Sequence, residues 1–434
     1  MKKTLFVLLA LLLAAAVLVA CGNTENSEKP SNGPTEDVSV YHAEGFEKST
    51  LVNQISWEGI NSIPIKTANM PIKEARQICV DFFRYAKTCT WIPSEDYGIW
   101  ADATIHQGEE PKREMFGGQV YGGLPYISWA TGSPYRLMDY LDPVTGVVDM
   151  SNAGDKPILF GNQCANGAYV GFARVINSAK YGVTAAMVQA NGLLRLGDYT
   201  YPDSTERWTK SYGTPNVLKE NSVDTIMESY ALLQAGDAIV YWTTAGHIVM
   251  IATDAVVERT ADGKINPLKS FVTIIDQSTQ FVDYQHKDGD ACKVAETVDA
   301  KWSFQKLYNE NYLPMTFAEW TGADPIESSK TEIDYKDETI SLNKIPNIKI
   351  TSNYGITDAY VSIYNANGVE VYKIAVRSTT TSVKEVKLLT EGYNVDLWGN
   401  KDNLKPAEYE YTVKISAQLS TGERPVLWEG KLVE

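Results

Sequence analysis

The sequence changes character near residues 325–335, and this change divides the chain into two regions that must fold differently. Before it, helical and strand patterns alternate. After the polar run Glu327–Lys330, strand-like segments continue to the C-terminus. A chain of 434 residues is also too long for one ordinary hydrophobic core. We therefore predict an α+β region followed by a separate all-β region.

The all-β region has the pattern of antiparallel strands. Asn365–Gly368 separates two strand-like segments, as the turn of a hairpin does. Residues 409–416 alternate apolar and polar side chains, with Tyr409, Tyr411, Val413 and Ile415 on one face, which is typical of a half-buried strand. This pattern predicts an Ig-like β-sandwich over 329–434. No titratable cluster marks a catalytic centre in it, so we interpret it as an accessory or binding module.

The N-terminus has the features of an export signal. Met1–Lys3 is a short positive segment, an apolar run follows from Leu5 to Val19, and small residues precede Cys21. This resembles the lipobox of bacterial lipoproteins, in which the cysteine is lipidated and becomes the new N-terminus. The resemblance implies a signal peptide over 1–20 and a membrane anchor through lipid on Cys21. A plain membrane anchor, or a cleaved secretory signal with a chance cysteine, stays open as an alternative.

An exported, lipid-anchored body would lie on the extracellular face of the bacterial cell membrane. Residues 21–45 are polar and contain Pro and Gly, so we expect the lipidated cysteine to be followed by a flexible tether. The formal net charge is −15 and no basic patch occurs, which argues against binding nucleic acid.

The cysteines and histidines do not predict a metal site or a cofactor. Besides Cys21 the chain has Cys79, Cys89, Cys164 and Cys292, whose spacings match no zinc pattern, and its four histidines form no HExxH motif. A bridge between Cys79 and Cys89 is conceivable in an exported protein. No Walker A, GxGxxG or GxSxG motif is present.

The region before the catalytic candidates is interpreted as two parts. Apolar residues at helical spacing predict a helix over 68–89, with Pro71 in its first turn, within an N-terminal helical extension over 46–119. Residues 193–221 are rich in turn residues and aromatic side chains, and we interpret them as a long loop that forms a wall or lid over a cleft.

Cys164 is the candidate nucleophile. Asn162 is a suitable N-cap, and the apolar residues from Ala165 to Ala179 recur at helical spacing, so Cys164 is expected in the first turn of a buried helix. The free amides and the positive end of the helix dipole there favour a thiolate, which can attack an acyl carbon. Taken alone, the same position also suits an inert buried cysteine.

The downstream strands supply the partners of a nucleophilic cysteine. Residues 238–242 form an apolar strand, His247 opens a second one, and Phe271–Ile275 forms a third that ends in Asp276 and Gln277. An imidazole at the start of a strand has a fixed position, and a carboxylate on the next strand can orient the ring and support its charged form. Cys164, His247 and Asp276 therefore form a candidate triad.

This order of elements resembles the NlpC/P60 family of papain-like cysteine peptidases. The resemblance covers roughly 115–285, and Gly123–Trp129 is similar to the Gly-x-Pro-Tyr-x-Trp-Gly segment of the family. It implies a papain-like domain, which we place at 120–328, with Cys164 as nucleophile, His247 as general base and Asp276 as the third polar residue. Tyr126 would be a supporting hydroxyl. Known members mostly cleave amide bonds in the stem or cross-link peptides of peptidoglycan.

The sequence departs from the family pattern in ways that leave alternatives open. The Asp-Cys-Ser-Gly signature is absent, since Gln163 precedes the cysteine and Ala165 follows it. Gln163 would serve the oxyanion or merely pack, and Gln277 rivals Asp276, because a shift of one residue exchanges the faces of a strand. The leading hypothesis is a cysteine peptidase or amidase acting on the cell wall. The others are a non-catalytic glycan- or peptide-binding lipoprotein with a degenerate peptidase domain, and a thiol acyltransferase.

Overall fold

The protein has an α+β architecture in which helices pack on one of several separate sheets. A computed structural model describes residues 54–99, 113–115, 117–124, 133–142, 146–149, 161–179, 192–202, 212–243, 246–277, 292–293, 298–377, 383–388 and 394–434. The proposed signal sequence and Cys21 lie outside these residues. Within the described ranges, no helix combines the length and the apolar character needed to cross a membrane.

In the described residues, the α-helices lie before residue 322. They are α1 (Trp57–Asn61), α2 (Ile72–Thr88), α3 (Pro134–Met138), α4 (Cys164–Phe172), α5 (Thr214–Glu220), α6 (Val223–Ala231), α7 (Phe304–Asn309) and α8 (Ala318–Thr321).

Strands occur throughout the described chain. They are β1 (Thr90–Trp91), β2 (Tyr97–Ile99), β3 (Arg113–Met115), β4 (Tyr121–Gly122), β5 (Leu193–Arg195), β6 (Ala238–Trp242), β7 (Gly246–Val256), β8 (Phe271–Ile275), β9 (Cys292–Lys293), β10 (Val298–Ser303), β11 (Leu313–Phe317), β12 (Thr331–Ile333), β13 (Thr339–Ser341), β14 (Lys349–Ser352), β15 (Ile356–Asn365), β16 (Glu370–Arg377), β17 (Glu385–Lys387), β18 (Asn394–Trp398), β19 (Tyr411–Leu419) and β20 (Val426–Val433).

A six-stranded antiparallel sheet in the order β10-β8-β7-β6-β11-β5 forms the centre of the first region. The hairpin of β6 and β7 places Tyr241 opposite His247, and β8 pairs with the other edge of β7. All three predicted strands are therefore confirmed. Their apolar side chains are buried because helices cover the sheet, chiefly α2 and α4 near β7.

The predicted helix over 68–89 is confirmed as α2, although Pro71 is its N-cap rather than a first-turn residue. Ala75, Cys79 and Phe82 on its predicted face are buried. They belong to the same apolar core as the central sheet, so α2 packs as part of that core. Cys79 and Cys89 are both free thiols, and the conceivable bridge between them is not formed.

The interpretation of residues 193–221 as a long loop is wrong for the described part of the segment. It contains β5 and α5, and Tyr199 is fully buried, with its hydroxyl donating to the carbonyl of Pro314 at 2.8 Å. Turn residues dominate the composition, but β5 pairs with β11 and gives the chain a place in the sheet. Residues 203–211 lie outside the described part.

The C-terminal region has its own apolar core. The first core ends at Ile326 and the second begins at Ile340, on either side of the change in sequence pattern. The second core takes side chains from a six-stranded sheet, β13-β20-β19-β15-β16-β18, and from a three-stranded sheet, β12-β14-β17. The predicted hairpin is confirmed as β15 and β16. The domain boundaries themselves stay a prediction.

The predicted strand over 409–416 is present but begins later. Tyr411, Val413 and Ile415 of β19 are buried as expected, whereas Tyr409 precedes the strand and is 60 % exposed. The alternation of apolar and polar residues begins before the strand does, so the pattern alone does not mark the first paired residue.

Candidate functional site

Cys164 is the first residue of α4, so the prediction that it lies in the first turn of a helix is confirmed. The prediction that Asn162 is the N-cap is wrong, since that position is taken by Gln163 in an extended conformation. The Gln163 side chain is buried and does not cap the helix. The first amide groups of a helix have no partner within it and carry its positive end. The thiol of Cys164 therefore starts from a position that favours its anion.

Two glycines allow α4 to approach the sheet closely. A Cβ atom on Gly167 would lie 2.9 Å from Cβ of Gln277, and one on Gly171 would lie 2.6 Å from Cε of Met250. The two glycines are four residues apart, so they lie on the same face of the helix. All nine residues of α4 are buried, which explains why its apolar pattern is not confined to one face.

His247 and Asp276 are paired. His247 is the second residue of β7, and Asp276 follows the last residue of β8. Nε2 of His247 lies 2.8 Å from Oδ1 of Asp276. The side chain of the histidine is 21 % exposed and that of the aspartate 5 %. Nε2 is thus the ring nitrogen that faces the carboxylate. Of the two rival residues, it is Asp276 that contacts the histidine.

The thiol of Cys164 lies at the start of β7. Its Sγ is 4.0 Å from the carbonyl oxygen of Gly246, the residue before His247. Cys164 is 3 % exposed, whereas the side chain of His247 is 21 % exposed. The structure therefore brings together the three residues that the sequence singled out. A thiol at a helix start, near the strand that carries an imidazole paired with a carboxylate, supplies the types of group that nucleophilic acyl transfer requires.

An aromatic cluster borders the histidine. The ring of Tyr312 packs edge-on to His247, with centroids 6.4 Å apart, and it also contacts Tyr241 and Trp302. Burial raises the pKa of Tyr312, and the charges of Asp276, Glu310 and Cys164 raise it further. Its hydroxyl is therefore neutral under all ordinary conditions. Sequence reasoning missed Tyr312, which lies on no recognisable motif.

Gln277 forms hydrogen bonds with three segments around the site. It is 1 % exposed, and its Nε2 donates to the carbonyl oxygens of Asn162 at 3.0 Å and of Leu124 at 3.4 Å. Its Oε1 accepts a hydrogen bond from Nζ of Lys87 at 2.5 Å. Sequence reasoning missed Lys87, because a lysine in the last turn of an amphipathic helix usually lies in solvent.

Two predicted residues cannot be placed at the site. Tyr126 and Cys21 both lie outside the described residues. Among the residues that are described, no group of three or more His, Cys, Asp or Glu side chains is arranged to hold a metal ion.

Comparison with known proteins does not identify a family. No protein-family model matches the sequence, and no curated protein matches it. Any assignment of activity therefore depends on the residues of this site.

Proposed function

We propose that the protein is a lipid-anchored cysteine peptidase or amidase on the extracellular face of the bacterial membrane. Its substrates would be peptide bonds in the stem or cross-link peptides of peptidoglycan, and it would be a divergent relative of the NlpC/P60 enzymes. The observation that carries the proposal is the 2.8 Å pairing of His247 with Asp276 on the strands beside the Cys164 helix.

Each member of the triad has a defined role in the proposed reaction. His247 accepts the proton of the Cys164 thiol, and the thiolate attacks the carbonyl carbon of the scissile amide. The oxyanion that forms is stabilised by backbone amides in the first turn of α4. When the tetrahedral species collapses, the C–N bond breaks and the imidazolium protonates the amine that leaves. Water, deprotonated by His247, then hydrolyses the thioester and restores the thiol. Asp276 stabilises the imidazolium in both halves.

The fold is consistent with the proposal. A helix that begins with a cysteine and packs on an antiparallel sheet that carries the histidine is the arrangement expected of a papain-like domain. The two sheets around the second core suit an Ig-like sandwich, to which we assign an accessory role. We expect this region to hold the enzyme on its polymer.

Digestion of purified peptidoglycan by the full chain in detergent micelles tests this function. We expect mass spectrometry to detect new peptide ends with the unchanged protein and with Cys79→Ala, a control that alters a buried thiol on α2. Cys164→Ser should release none. If Cys164→Ser releases the same products as the unchanged protein, Cys164 is not the nucleophile. Products joined to an added amine would identify an acyltransferase instead.

A non-catalytic binding protein is the second candidate, and two observations favour it. Cys164 is only 3 % exposed, as an inert core thiol would be. The C-terminal region also has a groove of about 600 Å³ that is rich in amide and aromatic side chains, which suit a glycan or peptide. They are Asn365, Asn367, Asn400, Asn403, Tyr409 and Tyr411. This candidate predicts that the protein and Cys164→Ser bind peptidoglycan equally and that neither releases products.

A further inference from the structure

A buried lysine faces the site from the last turn of α2. Lys87 is 4 % exposed, and its ammonium donates to Oε1 of Gln277 at 2.5 Å. Gln277 is the residue after Asp276, and the Asp276 carboxylate acts electrostatically on Lys87. The positive charge therefore lies within electrostatic range of the carboxylate that pairs with His247.

The ammonium also determines how the Gln277 amide is oriented. A lysine side chain only donates hydrogen bonds, so the amide must turn its oxygen to Lys87 and its NH2 group away. That NH2 group reaches the carbonyls of Leu124 and Asn162, and Asn162 lies two residues before Cys164. Lys87 thereby acts electrostatically on Asp276 and, through the hydrogen bonds of Gln277, on the segment that leads into α4.

Packing alone does not explain a charge in this position. Burial lowers the pKa of Lys87 to about 8, although the negative charge of Asp276 raises it and Cys89 acts in the same direction. Burial also raises the pKa of the Cys89 thiol to about 12, so this thiol is uncharged at neutral pH. Among the described residues, Asp276 and Cys89 are the titratable groups that act on Lys87, and Asp276 acts the more strongly of the two. A methionine would fill the same space without the cost of burying an ammonium.

We propose that Lys87 is a positioning residue of the triad, whose ammonium places a positive charge near the His247–Asp276 pair and orients the Gln277 amide that holds the segment before Cys164. The inference rests on the proposed function for its meaning. Its physical content, an electrostatic effect of Lys87 on the His247–Asp276 pair, is measurable whether or not the protein cleaves peptidoglycan.

Titration of His247 in the full chain tests the proposal. With 13C-labelled histidine, the four imidazole signals are followed by NMR against pH, and the signal that disappears in His247→Gln is His247. Loss of a positive charge near the His247–Asp276 pair makes the imidazolium easier to form, so the pKa of His247 should rise by about one unit in Lys87→Met. Lys87→Gln, which keeps a hydrogen-bond donor but not the charge, should give the same rise.

The outcomes separate the possible roles of Lys87. A His247 pKa unchanged in both variants overturns the proposal, and so does a rise in Lys87→Met that Lys87→Gln reverses, because the charge would then be irrelevant. If the role of Lys87 were purely structural, its substitution would lower the melting temperature and leave the pKa of His247 unchanged. If the titration shifts as expected but no peptidoglycan is cleaved, the proposed function fails while the electrostatic role of Lys87 stands.

Discussion

At the scale of single residues, the proposed role of Asp276 requires a carboxylate and not merely a side chain of the same shape. Asp276→Asn has the same size and still accepts a hydrogen bond from an imidazole, but it no longer stabilises the imidazolium. We expect the rate of peptide release to fall about 10²- to 10⁴-fold. Asp254→Asn, an exposed change on β7, is the control and should leave the rate unchanged. Equal rates for the two variants would contradict the assigned role of Asp276.

The reactivity of the thiols gives a second test at this scale. Burial raises the pKa of Cys89 to about 12, and it also raises that of Cys79. Cys164, at a helix start beside His247, should therefore react with iodoacetamide at pH 7 at least about 10-fold faster than either of them. Peptide mapping by mass spectrometry measures all three in one sample. Modification of Cys164 only upon unfolding would support the binding protein.

The lowered pKa of Lys87 makes a prediction about stability. Between pH 8 and pH 10.5 the unfolded chain holds a proton on Lys87 that the folded protein has lost, so the free energy of unfolding should rise with pH across this window. At one pKa unit per 1.36 kcal/mol, the rise is about 3 kcal/mol. In urea unfolding, the free energy of unfolding of Lys87→Met should not show this rise with pH. If it rises as steeply as that of the unchanged protein, the assigned burial of the charge is contradicted.

Sequence reasoning identified residues that belong to local patterns and missed those that do not. Cys164 begins an apolar helix, while His247 and Asp276 mark the ends of apolar strands, so each is distinguished by its neighbours along the chain. Lys87 and Tyr312 reach the site only through tertiary packing. Nothing within their own segments distinguishes them from a solvated lysine and a core tyrosine.

At the scale of elements, the fit of α4 against the sheet determines where the thiol lies. Gly167→Ala and Gly171→Ala each add one methyl group to the same face of α4, and both should lower the free energy of unfolding by about 1–3 kcal/mol. Only the Gly167 methyl would meet Gln277. We therefore expect Gly167→Ala to reduce peptide release several-fold more than Gly171→Ala does. Equal losses of activity would show that the contact of α4 with Gln277 does not help to position the site.

The existence and type of the strong elements followed from periodicity, whereas caps and irregular segments did not. The helix α2 and the strands β6, β7 and β8 have long apolar patterns that tertiary packing reinforces. The segment around Tyr199 has the composition of a loop, yet pairing with β11 makes part of it a strand. A pairing partner more than one hundred residues away leaves no mark on the local sequence.

At the scale of the whole molecule, buried charges join the two cores. Asp139, which follows α3, lies 2.7 Å from Arg377 and 3.0 Å from Lys373, both on β16. Burial alone would raise the pKa of Asp139, but the neighbouring cations, chiefly Arg377, lower it below its ordinary value of 3.8. The stabilisation from this carboxylate is therefore present at neutral pH and lost as the pH falls below about 4.

Removal of that carboxylate should weaken the junction. Asp139→Asn leaves cations buried without a full partner, so we expect urea unfolding to show a loss of about 3–5 kcal/mol. Asp337→Asn, in an exposed pair with Lys344, is the matched control and should cost less than about 1 kcal/mol. If the two variants lose the same free energy, the junction does not depend on the Asp139 network.

We propose that Cys164 is an activated nucleophile directed at peptidoglycan peptides. Its most direct test is mass spectrometry of the full chain after incubation with purified peptidoglycan and acid quenching. We predict an added mass on Cys164 that matches an acyl fragment of a stem peptide and is absent in His247→Gln. If no adduct forms and no peptide ends appear while the polymer stays bound, the catalytic account is contradicted and the protein is a binding module.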